Sequence, residues 1–486
     1  MIKQITIDKI QDSAKIEDVV GDFVTLKKRG RLYECCCPFH NENTPSFKVN
    51  PVKNTWHCYG ACGEGGDPIS FVMKHENWSY RDALLYLAKK YSIEVEEETD
   101  RKAMEERKAK EGLYIVANAA QEFFAKNLSE CKDAYDYAVS RWGEDYVREE
   151  GIGYAPDSWD ALSTHLKNNG YSLDAAVQVG VLKKREKDGG FFDFFRDRLT
   201  IPIRDRYHRV ISFTARVIPS HQKPIRPGER PESKYINTST TPIFEKSRVI
   251  FGIENALHQA ALDERFYLME GAPDAIRMQS IGVANAIASL GCAWSEDHFK
   301  QIKKYASQVC FLPDADVQKD DSQFPPGTKA VLANGEIALK CGFTVYVRPI
   351  PLSDNGEKQD PDSYITSKEV FDRMEEQDFI VWAAHQHFAL ASDDQHRKSY
   401  AVKEVARLVS YTDAVNREMY YEKLAKIDGK IKLWKTAVAE AMEKMREKDK
   451  KKNTIDREDY EKYKSGSYES NPETELQILK MSQYPK

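Results

Sequence analysis

Apolar positions change period several times along the chain, and each change marks a boundary. Ile10, Ile16, Val19, Val20 and Phe23 recur at helical spacing, β-formers follow through 33–58, and 79–91 returns to an amphipathic helical pattern, which predicts one small module over 1–95. Residues 94–112 (EVEEETDRKAMEERKAKEG) are almost wholly charged without an apolar stripe, so 96–112 is expected to be a linker, helical or not. Ile115, Ala119, Phe123 and Phe124 restart helical spacing, and LTIPI and VISFTARV then form two β-like runs separated by the charged turn 205–209, giving a mixed α+β region over 113–248. From 249 to 366 strands and helices alternate: FYLM, a helix from Ala275, VANAIA, a helix from Glu296, QVCFL, a helix over 330–340, and TVYVRPI. That alternation predicts a mostly parallel sheet with helices on its faces. Residues 367–445 read as all-helical, and 446–486 are too charged to bury themselves and are expected to be flexible. The expected fold class is therefore multidomain, α+β followed by α/β, with a helical C-terminal subdomain.

A length of 486 residues fits about three domains at roughly 150 residues each. Charged residues make up 31% against 41% hydrophobic, no apolar run is long enough to span a bilayer, and the first ten residues lack the apolar core of a secretory signal. A cytoplasmic protein with no membrane association is expected. The net charge of −5 is unevenly spread, because residues 196–248 hold 12 Lys and Arg against 5 Asp and Glu, a local balance of +7. A basic face inside an acidic chain suggests a polyanionic partner at one place. Five of the nine cysteines fall between Cys35 and Cys62, a clustering that suggests metal more than disulfides in the cytosol.

Cys37 and His40 supply two ligands at C-x2-H spacing, and Cys58 and Cys62 supply two more after a β-rich stretch. Two such knuckles satisfy a closed tetrahedral site for one structural Zn²⁺, which would hold a ribbon too small to fold on its own core. Cys35, Cys36 and His57 are alternatives of lower rank, since only Cys37 has the pair spacing to His40. Lys27, Lys28, Arg29, Arg31, Lys48 and Lys53 interleave with Tyr33, Phe47, Trp56 and Tyr59 around the cluster, a mixture suited to single-stranded nucleic acid. For Phe47 and Trp56, packing of the mini-core is the expected role. The cations carry the nucleic-acid reading.

Glu270 follows the apolar run 266–269 and precedes Gly271, so it falls at a strand's C-terminal end, the edge where open α/β sheets collect ligands. Asp314 and Asp316 alternate after the strand ending at Leu312, so an extended segment turns both to one face, and Asp360 and Asp362 repeat the spacing in EKQDPDSYI. Carboxylates gathered at one edge repel unless divalent cations neutralise them, which predicts Mg²⁺ or Mn²⁺ and phosphoryl-transfer chemistry.

CPFHNENTPSFKVNPVKNTWHC, followed by Gly65, Gly66 and Asp67, resembles the zinc ribbon of bacterial DnaG-type replicative primases, and EGAPDAI, IASLGCAWSEDH, LPDADV and DPDSYI resemble, in order, the Toprim fold of that family. FFRDRLTIPIRDRYHRVISFTARV and SKYINTSTTPIFEKSRVIFGI resemble the basic subdomain of its RNA polymerase domain. The resemblance implies a zinc ribbon over 1–95, the N-terminal subdomain over 113–248, the Toprim subdomain over 249–366 and a helical subdomain over 367–445. It nominates Glu270, Asp314 and Asp316 as holders of catalytic metal, with Asp360 and Asp362 as the later acidic pair. Arg196, Arg198, Arg204, Lys234, Asn237 and Lys246 match positions that grip nucleotide and template. The implied activity is DNA-dependent synthesis of RNA primers from ribonucleoside triphosphates on single-stranded DNA, with a replicative helicase as partner. The chain departs from the family at its second knuckle (C-x3-C rather than C-x2-C), at Ala272 and Pro273, at Phe194 where an arginine is expected, and in an extra stretch 317–326 after the D-x-D pair. No helicase-binding bundle is recognisable in 446–486, which leaves open a phage or mobile-element member.

Two rival readings remain at the level of sequence. A Toprim nuclease or topoisomerase-like strand cutter would hydrolyse or cut DNA without incorporating nucleotides. A template-binding replisome scaffold with a decayed Toprim site would make Glu270 dispensable. No G-x4-G-K-[ST] segment is present, so a helicase activity in this chain is not expected.

Overall fold

The computed structural model describes residues 2–464 apart from 41, 43, 77, 97–100, 223–231, 292, 319, 321–322 and 429. Two compact units emerge, Met1–Gln308 with Asp360–Met374, and Val309–Gln359 with Glu375–Lys486. Each is taken by itself.

The first unit opens with a five-stranded antiparallel sheet, Lys27–Arg29, Leu32–Cys35, Phe47–Asn50, Thr55–Cys58 and Gly65–Gly66, paired in chain order. Alternation along the third strand buries Phe47 and Val49 and turns Lys48 and Asn50 outward. Phe47 and Trp56 stack with centroids 5.1 Å apart and meet Phe71 of helix Pro68–Glu76, so they pack the mini-core as expected. Ser79 caps the next helix, Tyr80–Lys90, by accepting from the Asp82 N–H.

Helix Arg101–Glu130 absorbs the charged run from residue 101 onward, with 97–100 outside the described residues. Its later turns bury Leu113, Val116, Ala117, Ala120 and Phe124 against a four-stranded sheet ordered Tyr235–Asn237, Val210–Val217, Arg198–Arg204, Gly153–Ala155. The two central strands form the hairpin read from the sequence, with Thr214 opposite Ile201, and are buried along nearly their whole length. Gly153 lets helix and sheet approach closely, since a Cβ there would lie 2.4 Å from the Phe124 carbonyl carbon. The unit's α/β portion pairs strand Arg265–Met269 parallel to Ala286–Ala288, with helix Ala272–Ser280 as the crossover.

In the second unit, strand Gln308–Phe311, nearly all of it in this unit, neighbours Thr344–Val347, which pairs antiparallel with Gln377–Asp378. Helix Pro326–Lys340 connects the first two of these strands. Four helices follow, Phe379–Ala391, Gln395–Ser410, Ala414–Asp428 and Ile431–Lys464. The last corrects the expectation of a flexible tail from 446: the backbone stays helical to Lys464. Trp434 and Val438 anchor its first turns at 0% exposure, and the Lys, Glu, Arg and Met that follow are strong helix formers. Residues 465–486 lie outside the described residues. Among the described residues no helix is long and apolar enough to cross a membrane.

Candidate active site and metal centre

Cys37, His40, Cys58 and Cys62 bring their ligand atoms within 4.8 Å of one another. Cys37 Sγ lies 3.6 Å from Cys62 Sγ and Cys58 Sγ lies 3.8 Å from His40 Nδ1. Sulfurs about 2.3 Å from a tetrahedral zinc are about 3.8 Å apart, so the donor set fits that ion in both chemistry and spread. Knuckle amides point at the sulfurs: Phe39 N–H donates to Cys37 at 3.4 Å and Gly60 N–H to Cys58 at 3.3 Å. Burial pushes the Cys58 thiol up, but hydrogen bonds from Ser46, Cys62 and Gly60 outweigh it and bring the group down to about 7. His40 turns Nε2 to Glu42 Oε2 at 3.1 Å, which leaves Nδ1 toward the sulfurs. The longer second knuckle is accommodated at Gly60, where a Cβ would stand 2.5 Å from Ser46 Oγ and 2.9 Å from His40 Nε2. Of the lower-ranked alternatives, Cys35 is pushed up to about 11 by burial, and His57 packs its ring 4.5 Å from Tyr59.

Among the nominated carboxylates, Glu270, Asp360 and Asp362 belong to the first unit and Asp314 and Asp316 to the second. Asp314 and Asp316 share one cation: the Lys358 ammonium is 2.9 Å from Asp314 Oδ2 and 2.8 Å from Asp316 Oδ1. Hydrogen bonds and charge from the pair outweigh burial and raise the lysine, holding it protonated. Ala315 and Gln359 exchange backbone hydrogen bonds of 2.9 and 3.2 Å, which fix the pair beside Lys358. Two carboxylates within reach of one positive centre are a donor set suited to a divalent cation.

In the first unit, Glu270 follows strand Arg265–Met269, and its carbonyl accepts from Gly291 N–H at 2.8 Å. Asp360 caps helix Pro361–Tyr364, accepting from Ser363 N–H at 2.9 Å. Asp362 is 6% exposed and pairs with Arg141 and with Arg277, whose Nε is 3.3 Å away, while its N–H donates to Asp274 at 3.2 Å.

The nominated cations divide into two groups. Arg198 is 4% exposed and donates to the Ser233 carbonyl and to Glu232, and Arg204 donates to the Glu150 carbonyl at 2.9 Å, so both are engaged within the fold. Arg196 lies 3.8 Å over the Trp159 ring. Asn237 stands opposite Thr214 at the sheet's edge, and Lys246 is half-buried in the loop after Phe244. Lys234 is pushed down by burial and by Arg216 and Arg141, against the pull of Asp360 and Asp274. Sequence reasoning missed Arg141, Arg216 and Arg277. The guanidiniums of Arg141 and Arg216 sit 5.5 and 5.6 Å from the same Tyr137 ring, and Arg216 donates to Tyr235. Arg141 Nε and Arg216 Nε are shut from solvent with no hydrogen-bond partner among the described residues. Arg216 lies in the VISFTARV run and was open to nomination; Arg141, on helix Lys132–Trp142, carried no local signal.

Residues 2–103 match the CHC2 zinc finger family, 123–257 the N-terminal domain of the DNA primase catalytic core, and 267–365 the Toprim-like family. The DNA primase of Clostridium acetobutylicum is 31% identical over 433 residues, which cover 87% of this chain and 68% of that one. That of Pseudomonas putida is 37% identical over 322 residues, 65% of this chain and 47% of its relative. Among solved structures, the zinc-binding and RNA polymerase domains of Aquifex aeolicus primase are similar with a TM-score of 0.57 at 28% identity, covering 88% of this chain and 98% of that one. These likenesses run through all three regions in one order, and the chain belongs to the DnaG-type bacterial DNA primases, nucleotidyltransferases that make RNA primers on DNA.

Proposed function

We propose that this chain makes RNA primers on single-stranded DNA from ribonucleoside triphosphates, with template held by the zinc module and phosphates by the Arg141, Arg216 and Lys234 group. The reading rests most on one observation, the Asp314 and Asp316 carboxylates turned to a single cation within a Toprim-like segment. The Toprim pattern nominates Glu270, Asp314 and Asp316 as residues that would hold Mg²⁺ or Mn²⁺, which when bound would lower the pKa of the attacking 3′-hydroxyl and stabilise charge on the α-phosphate. The chain's own residues do the rest. Arg141 and Arg216 bring two guanidinium charges to the same Tyr137 ring, suited to the charge that the triphosphate brings. Asp362, between Arg141 and Arg277, would orient the first of these as a positioning residue. The charge of Asp360 favours the protonated form of Lys234 and would help keep its ammonium with the same group.

Arg196 on Trp159 offers a stacked cation for template, and Asn237 on the edge strand and Lys246 in the loop after Phe244 would contribute. The zinc of the first module is structural in this scheme. A replicative helicase is the expected partner, and a bacterial or phage-infected cytoplasm the place of action. Incorporation of labelled ribonucleotides on single-stranded DNA, absent with Asp314→Asn, is the test. DNA hydrolysis without incorporation would favour the strand-cutter reading, and unchanged synthesis by the variant would favour the scaffold.

A further inference from the structure

A cavity of about 420 Å³ opens in the first unit between helix Gln4–Ser13, the turn 205–209, the loop 248–250 and the end of helix Glu296–Ile302. Its lining holds six cations, Arg204, Arg206, Arg209, Arg248, Lys300 and Lys304, against two carboxylates, Asp8 and Asp205. Four further carboxylates, Glu150, Asp12, Glu245 and Glu296, stand within ion-pair reach of these cations, so each cation has one acidic partner. None of the carboxylates nominated for catalysis lines it.

We infer that this cavity binds an oligophosphate, carried either by a free nucleotide or by a nucleic-acid strand. Volume, exchangeable ion pairs and aromatic lining all point that way. Cavities of roughly 300–1,000 Å³ take small ligands, and a nucleotide fits in 420 Å³. A polyanion that displaces the exposed acidic partners would meet several cations at once. Tyr305 lies under the Lys304 ammonium at 4.8 Å and Tyr207 beside the Arg206 guanidinium at 4.7 Å, so ring faces suited to a base stand next to cations suited to phosphates.

The cations have carboxylate neighbours, and the pairs of Lys300 and Arg248 are loosely held. Lys300 meets Glu296 at 3.3 Å and Arg248 meets Glu245 at 3.7 Å, with the two cationic side chains 65% and 62% exposed. Exposed pairs of this kind contribute little and are readily exchanged for a phosphate. Asp8 at 3.3 Å from Arg206 and Asp12 at 3.0 Å from Lys304 come from the N-terminal helix and compete for the same cations. Glu150 at 3.6 Å and Asp205 at 2.7 Å hold Arg204 and Arg209 deeper in the wall.

Titration calorimetry of the full chain without divalent metal tests the site, using inorganic tripolyphosphate, ATP and a short oligothymidylate as separate probes. Arg248→Ala with Lys300→Ala should weaken tripolyphosphate at least tenfold, whereas Lys132→Ala, at a cation 85% exposed and outside the cavity, should leave that affinity unchanged. Asp8→Asn with Asp12→Asn, which keeps the shape and removes competing charge, should tighten it several-fold. With tripolyphosphate weakened, a parallel loss for ATP but not the oligonucleotide identifies a free nucleotide as the carrier, and a parallel loss for the oligonucleotide but not ATP identifies a strand. Affinities within twofold of the parent for all three probes in the Arg248/Lys300 variant would overturn the site.

Discussion

Asp316 Oδ2 accepts a 2.7 Å hydrogen bond from the Gly327 N–H, across the extra stretch 317–326. The residue after the insertion is therefore tied to the residue before it, and that bond fixes the carboxylate. Gly327 is buried there, and a Cβ would lie 2.5 Å from the Asp314 carbonyl oxygen, a backbone atom that cannot step aside cheaply. Gly327→Ala should lower primer synthesis at least tenfold at saturating metal while the zinc module's metal content stays at the parent value. Parent-like synthesis would show that the pair tolerates displacement.

Lys358 neutralises Asp314 and Asp316, the two carboxylates proposed to hold a divalent cation. Its side chain is 55% exposed and can leave toward water. Lys358→Ala should therefore reduce the Mg²⁺ concentration for half-maximal activity several-fold. A metal requirement that rises instead would assign the lysine to substrate phosphates.

The four zinc donors close a module whose own core is small, so metal binding and folding are linked there. Cys58→Ser should reduce bound zinc from about one to well under half per chain, measured by elemental analysis, and should abolish binding of single-stranded DNA at moderate salt. Retained zinc would return Cys35 or His57 to consideration as ligands.

Glu254 is pushed up to about 8 by burial and by the negative charge of Glu150, and its Oε2 is shut from solvent with no partner among the described residues. A carboxyl raised in the folded state favours folding below its unfolded value near 4.3, and that contribution is lost as pH rises through about 8. Glu254→Gln stays neutral throughout, so its melting temperature should gain on the parent by about 2–6 °C between pH 5 and pH 8. A difference that does not change with pH would show that Glu254 ionises freely.

Much of this arrangement is readable from residue order because its determinants are local. Paired spacing identified Cys37 with His40 and Cys58 with Cys62, and the two-residue alternation of a strand put Asp314 and Asp316 on one face. The βα alternation is likewise present. Charge density was a weaker guide. Arg198 and Arg204 stand in a strand buried on both faces, where an arginine must find partners within the fold, and they take Glu232, Ser233 and Glu150. Arg141 became visible only through its contact with Asp362, far along the chain, which no local pattern encodes. The helix through Lys464 was misjudged because high charge suggested disorder, whereas a start packed on Trp434 overcomes nucleation and good helix formers extend it.

The proposed chemistry is tested most directly by labelled-ribonucleotide incorporation on single-stranded DNA, comparing the parent chain with Glu270→Gln at matched zinc content. The charge-neutral variant should lose at least a hundredfold in product while binding the template with unchanged affinity. Primer synthesis at the parent rate by Glu270→Gln would contradict the account.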